Sequence, residues 1–278
     1  MIITLNDFEL NSRTSKFYLD EDVQGLSLPE IRTSSGVYSG RDGGYIGAQF
    51  YGMRALTLVG RVFGQDVVEI EQKRRELQDA LRTKNITMRI TTNAGHTYLV
   101  YCNLLKFDMP IKRTVTIAPF KIELLAADPV IYDDTAGSAL TATVNKVLRG
   151  GYVYPVVYPV LWQAGAQPTS VLNGGNTMVY PVITLTGSAH EPVLYNNTLG
   201  KLFRMEDFTM AAGDVLVIDM HPRAHTVLLN GGSVFHKVSA DSQFWGLEVG
   251  QNSLLLDSND GNDTVSASIE WRSGYIGI

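Results

Sequence analysis

Apolar and polar positions alternate with a period of two along much of the chain. In Thr264–Arg272, Val265, Ala267, Ile269 and Trp271 fall on one face and Thr264, Ser266, Ser268, Glu270 and Arg272 on the other, which predicts a half-buried strand. Ile86–Thr91 alternates in the same way, turns at Asn93-Ala94-Gly95 and returns as Thr97–Leu105, so a hairpin is expected. Ile2, Ile3 and Leu5, the Val23–Arg32 stretch, Ala55–Val62 and Thr114–Leu125 supply further strands, with Pro119 at an edge or bulge because it cannot donate to a ladder. A helical period occurs once. After Asp66, with Glu69 three residues on as in a capping box, Val67, Ile70, Leu77 and Leu81 fall near one face. Lys73, Arg74 and Arg75 lie among Glu69, Glu71, Glu76 and Asp79, the mixture of a solvated face.

The pattern changes character at Phe120–Asp134. Phe120, Ile122 and Leu124 alternate with Lys121 and Glu123. Asp128-Pro129 then interrupts the strand, and Asp133-Asp134-Thr135-Ala136-Gly137-Ser138 is a polar break. A domain boundary is placed there, giving residues 1–133, an antiparallel sheet with one helix, and residues 134–278, all strand. In the second part Tyr152–Trp162, Met178–Thr186, Pro192–Met205 with a turn at Asn196-Asn197, Val215–Asp219, Thr226–Leu229 and Val234–Val238 read as short strands. Asn230-Gly231-Gly232 marks a tight hairpin between the last two. Many short strands with regular turns predict a β-sandwich or jelly roll.

Between these strands Thr33–Gly52 stands out. Gly36, Gly40, Gly43, Gly44, Gly47 and Gly52 alternate with Tyr38, Tyr45, Phe50 and Tyr51. Ordered glycine costs backbone entropy and aromatic rings supply contact area, so the segment reads either as an arm fixed against a partner or as a surface loop or irregular hairpin. Tyr38, Tyr45, Phe50 and Tyr51 are the candidate contact residues.

Composition narrows the function. The 278 residues carry a formal charge of -5 with a pI near 5.5, which argues against a protein built to hold phosphates or an anionic membrane. Cys102 is the single cysteine, so no intrachain disulfide is available. The first residues lack the basic and apolar pattern of an export signal, and no apolar run is long enough to span a bilayer as a helix.

Candidate chemistry is sparse. His221, His225 and His236 are close in sequence, but His221 and His225 flank Pro222 between strands, so no helix presents both to zinc; surface histidines are expected. Asp257–Asp263 has the oxygen-rich composition of a calcium loop but fails the EF-hand template, which leaves a solvated turn or a weak calcium site. No nucleophile elbow or singled-out carboxylate pair is present, and Cys102 lies in an apolar strand, so no enzyme, cofactor or catalytic residue is assigned.

Gly25–Arg32, Arg54–Val62, Ala126–Tyr132, Ala212–Asp219, Val227–Val234, Phe244–Asn252 and Ala267–Arg272, in this order, resemble the distal tail proteins of siphophages, the long-tailed bacteriophages with non-contractile tails. The resemblance implies a tail-tube-like first domain, an antiparallel sheet or split barrel with one helix, that assembles into a homo-hexameric ring. It also implies a peripheral galectin-like β-sandwich. The implied partners are the tail tube protein and a tail-tip or tail-associated fibre protein. DNA would pass through the channel without stable nucleic-acid binding, and no membrane insertion is implied. The protein would be a virion component made in the host cytoplasm. A different class of function is a carbohydrate-binding module in which the sandwich meets host cell-wall glycan through Tyr152, Tyr154, Trp162 or Trp245; the bland alternative for those rings is core packing. A related hub of a contractile tail is a third reading.

Overall fold

A computed structural model describes residues 1–110, 116–137, 139–147 and 168–278. The chain divides into two compact units. The first ends at the polar break after Asp133 and regains Tyr275–Ile278, and the second runs from Ala139 to Gly274.

The first unit contains β1 (Ile2–Leu5), β2 (Phe8–Leu10), β3 (Phe17–Leu19), β4 (Ile31–Val37), β5 (Gly44–Tyr51), β6 (Arg54–Phe63), α1 (Val67–Ala80), β7 (Asn85–Thr91), β8 (Thr97–Asp108), β9 (Ile117–Ala126) and β10 (Ile131–Asp133). Its main sheet has the order β2-β1-β7-β8-β9-β6-β3, with β10 added beside β8. The two ends of that path approach each other: Phe8 of β2 meets Phe17 of β3 edge-on at 5.2 Å, so side chains close a nearly complete antiparallel barrel. The alternation reports the interior correctly. Leu56, Leu58 and Val62 of β6, Ile86, Met88 and Ile90 of β7, and Phe120, Ile122 and Leu124 of β9 form one core with Ile3, Leu5 and Phe17. Truncating any of these leucines or isoleucines to alanine costs about 2–5 kcal/mol by creating a cavity.

The helix starts where its cap is. Asp66 is extended and its carboxylate accepts the Glu69 N–H at 2.8 Å. Glu69 does not close the reciprocal bond to the cap itself; it accepts the N–H of Gln65, one residue earlier, at 2.7 Å. Ile70, Leu77 and Leu81 enter the core, whereas Val67, expected beside them, is exposed at the first position of the helix. Lys73 pairs with Glu76 and Arg75 lies near Glu71, as expected of a solvated face. Pro119 pairs with Arg61 of β6 but lies beyond the β8–β9 ladder, which ends at Asp108↔Lys121, so its missing N–H interrupts nothing on that side.

Arg54 fastens this unit together. Its side chain is 1% exposed, and it donates Nε–H to Pro129 O at 2.9 Å, Nη1–H to Ser27 O at 2.6 Å and to Gly25 O, and Nη2–H to Ile276 O at 2.5 Å. Four backbone carbonyls thus satisfy a desolvated guanidinium, whose pKa is lowered by that burial. Gly25 is required at its place: φ is +94° and a Cβ there would lie 1.9 Å from Ala55 O.

The second unit contains β11 (Leu140–Asn145), β12 (Thr169–Asn173), β13 (Val182–Thr186), β14 (Ala189–His190), β15 (Val193–Asn196), β16 (Lys201–Arg204), β17 (Thr209–Met210), β18 (Val215–Asp219), β19 (Thr226–Leu229), β20 (Gly232–Ser233), β21 (Gly250–Asp257) and β22 (Ser266–Trp271). Two antiparallel sheets, β11-β22-β13-β18-β19-β20 and β12-β21-β15-β16, make a β-sandwich, with β14–β17 as a small extra ladder. Ile183, Leu185, Leu216, Ile218 and Ile269 are buried on the first sheet and Leu194, Phe203, Leu254 and Leu256 on the second. Trp271 of β22 joins the sheets by donating its indole N–H to Leu172 O of β12 at 3.1 Å. The β19–β20 turn has φ 49° at Asn230 and 83° at Gly231, both positive as a type I′ turn demands. Two expectations need correction. Residues 234–238 form no strand; Phe235–Lys237 is a single 3-10 turn, because the tight hairpin ends its ladder at Leu228↔Ser233. Only the end of the Met178–Thr186 stretch is ladder, with Val179 making an isolated bridge to Leu247.

Candidate assembly surface

The glycine and aromatic segment is a two-stranded hairpin, β4 with β5, that forms a sheet of its own. Its register runs from Ile31↔Tyr51 to Val37↔Gly44, with an irregularity between Thr33 and Ser35. The tip is ordered by local contacts: Tyr38 N–H donates to Gly43 O at 3.2 Å, and the Arg41 guanidinium lies 3.8 Å from the centre of the Tyr38 ring. Tyr45 sits opposite Gly36 and its ring occupies the space a Cβ would need, since ring atoms lie 2.7 Å from that position. The structure therefore brings Tyr38 and Tyr45 together, their rings 6.1 Å apart, while Phe50 and Tyr51 lie at the other end of the hairpin on opposite faces.

No residue of β4 or β5 is buried. Val37 is 87% exposed, Ile46 70%, Phe50 65% and Tyr45 54%, and Leu28 and Met53 extend the apolar surface beside the hairpin. A lone hairpin of this kind is marginal in water, and its unpaired edges are templates for another chain. Its side chains bury apolar area only when something covers them.

The remaining candidates resolve differently. Trp245 is 1% exposed, so the ring considered as a glycan contact is part of the core, with its indole N–H enclosed and unmatched by a hydrogen bond. Tyr152, Tyr154 and Trp162 lie outside the described residues. The three histidines do not converge. His221 Nδ1 accepts the Arg223 N–H at 3.2 Å, His225 stacks on Phe244 at 4.2 Å, and His236 is in the 3-10 turn. Cys102 is buried and donates to Ile86 O at 3.4 Å; burial pushes its thiol up to about 12, which suits a core cysteine.

A histidine that the sequence reading passed over, His190, is engaged instead. It lies with Asp260 and Asp263 in the one group of potential metal ligands found among the described residues. Asp263 accepts the His190 backbone N–H at 2.8 Å and pairs with His190 Nδ1 at 3.0 Å, and the Ser258 hydroxyl donates to it as well. Burial works to raise the Asp263 pKa, but these hydrogen bonds outweigh it and hold the carboxyl below its usual range; the Asp263 contact raises that of His190. The Asp257–Asp263 loop is closed on an internal cation. The buried Lys146 ammonium donates to Asp260 O, Gly261 O and Asp263 O at 2.5, 2.9 and 2.9 Å. These three carbonyl oxygens are thus already taken by the ammonium and do not serve as ligands for a calcium ion.

Two family models match the sequence. Residues 7–126 match the phage tail protein RIFT-related domain, and residues 174–275 match the C-terminal domain of siphovirus-type tail components. The chain belongs to the distal tail protein family of siphophages. As a distal tail family member it is a structural component of the phage virion with a tail or baseplate role, and not an enzyme. The fold agrees. The crystal structure of the SPP1 Dit (gp 19.1) protein, described as a paradigm of the hub adsorption apparatus in phages infecting Gram-positive hosts, is 16% identical with a TM-score of 0.69 over 98% of both chains. A chain of the phage P2 baseplate in its activated conformation with Ca is 10% identical with a TM-score of 0.47, covering 92% of this chain and 90% of its own. No curated protein sequence matches. Among the described residues no helix is long and apolar enough to cross a membrane.

Proposed function

We propose that six copies of this distal tail protein close into a ring at the end of the phage tail. The ring joins the tail tube protein above to a tail-tip or fibre protein below and leaves a channel for DNA. Residues 1–133 form the ring body, and residues 134–278 a galectin-like sandwich at its periphery. The observation that carries this reading is the β4–β5 hairpin: ordered, rich in aromatic and aliphatic side chains, and without a buried residue. A closed ring requires two different patches on each subunit, and the hairpin laid on a neighbouring copy supplies one of them. The net charge of -5 suits a conduit that must let DNA slide rather than hold it.

Light scattering and electron microscopy of the purified protein test the reading. Six-fold rings are expected, and the variant with Tyr45→Ala and Phe50→Ala should shift the population to monomers while keeping its circular dichroism. A monomer at every concentration, or rings untouched by both substitutions, would overturn it.

A further inference from the structure

The chain holds two Asn-Gly pairs, Asn173-Gly174 and Asn230-Gly231. In such a pair the backbone nitrogen after the asparagine can reach the side-chain carbonyl carbon with no Cβ of its own residue in the way. The fold treats the two pairs differently. Asn173 is 0% exposed; it donates its amide to Thr177 O at 2.8 Å and Leu247 O at 3.2 Å, and its Oδ1 accepts the Gly175 N–H at 3.1 Å. The nitrogen that would attack it is occupied as well, since the Gly174 N–H donates to Ser273 Oγ at 3.0 Å.

Asn230 is exposed, in the turn between β19 and β20. Its side chain makes one bond at each end: Oδ1 accepts the Val215 N–H at 2.9 Å, and Nδ2–H donates to Asp214 Oδ1 at 2.8 Å, both at the surface. Water replaces surface bonds of this kind at little cost, so local opening frees the amide without unfolding the sandwich. Gly231, at φ +83°, has nothing within 4 Å of the place a Cβ would take.

We propose that Asn230 is a site of spontaneous deamidation and that the product loosens its turn. The Gly231 nitrogen gives up its proton and bonds to Asn230 Cγ, the Cγ–Nδ2 bond breaks, and ammonia leaves, which closes a succinimide. Water then opens either imide carbonyl to give aspartate or isoaspartate; nothing is oxidised or reduced. In the aspartate product a carboxylate oxygen replaces the donor that faced Asp214, so two negative charges meet where a hydrogen bond was. The Asn230 bond is the chief cause that holds the Asp214 carboxyl below its usual range, and that support is lost. Isoaspartate adds a methylene to the main chain, which breaks the Leu228↔Ser233 and Leu229↔Gly232 register. Every residue involved belongs to the second unit, so the site is independent of ring formation.

Peptide mapping by mass spectrometry tests it on the full chain aged at pH 8.5, folded and in urea. Folded Asn230 should convert within about tenfold of its rate in urea, and folded Asn173 at least about a hundredfold more slowly than in urea. An Asn230 that keeps its amide in the folded chain, or an Asn173 that keeps pace with it, overturns the site. The consequence is read separately. Asn230→Asp should lower the fluorescence-monitored urea midpoint at pH 8.5, and adding Asp214→Asn should restore it by giving the pair a donor again. No loss in the single variant, or a loss that Asp214→Asn leaves unchanged, refutes the repulsion.

Discussion

Replacing Arg54 by methionine should destabilise the first unit by about 4 kcal/mol. The guanidinium satisfies carbonyls of Gly25, Ser27, Pro129 and Ile276, which come from three separate stretches of chain. Hydrogen bonds to a charged group contribute about 1.5–3 kcal/mol each, so four set a ceiling of about 6–12 kcal/mol. The realised loss is smaller, since methionine fills part of the space and the Gly25–Ser27 and Ile276 segments can shift to admit water. About 4 kcal/mol matches the cost of breaking other buried charged networks. Arg54→Lys keeps the charge but loses the planar fork, and about half that loss is expected. All three tryptophans, Trp162, Trp245 and Trp271, follow the boundary. Tryptophan fluorescence therefore follows the second unit, and tyrosine or backbone circular dichroism is needed for the first. With a urea slope of about 2 kcal/mol per M, Arg54→Met moves the first unit's midpoint down by about 2 M. A loss below about 1 kcal/mol would refute the argument that these four bonds hold the unit's segments together.

Three further outcomes are expected. Gly25→Ala, forced onto φ +94° with its Cβ against Ala55 O, should cost about 3 kcal/mol in the same urea experiment; a neutral effect would mean that the turn is not under this constraint. The His190–Asp263 pair should stabilise the second unit only within a pH window. The raised His190 pKa gives a contribution complete below the unfolded value of about 6.5 and lost as pH rises through the folded one, and the lowered Asp263 pKa gives one present above about 3.9 and lost as pH falls through the folded one. His190→Ala should accordingly lower the fluorescence-monitored midpoint more at pH 5.5 than at pH 8.5, and equal losses at both would contradict the assignment. In the proposed ring, Phe50→Ala alone should weaken assembly by about 1–3 kcal/mol per interface, visible as dissociation on dilution, whereas an unchanged dilution profile would remove Phe50 from the contact.

What was legible in the sequence follows the range of the interactions. Val265, Ala267, Ile269 and Trp271 alternate because strand geometry alone fixes which side chains share a face, and the Asp66 cap and the Asn230-Gly231 turn are decided within four residues. The hairpin was less legible: with both faces uncovered in the single chain, residues 31–51 show no burial period, so strand and loop looked alike. For Trp245 the local pattern leaves core packing and surface exposure both open, and only the folded chain shows that the ring is buried. His190 and Lys146 were missed because their partners lie 73 and more than 110 residues away. Arg54 sits in an otherwise apolar strand, and nothing local announces that carbonyls from Gly25 to Ile276 converge on it.

The Lys146 ammonium gives the Asp257–Asp263 loop an ion that the chain carries with it. A dissociable cation is lost when its concentration drops, and the loop it shaped then loosens. A tethered ammonium is held at a fixed effective concentration by its own backbone, whatever the medium. The loop between β21 and β22 should therefore keep one shape in chelator and in mineral-rich surroundings alike.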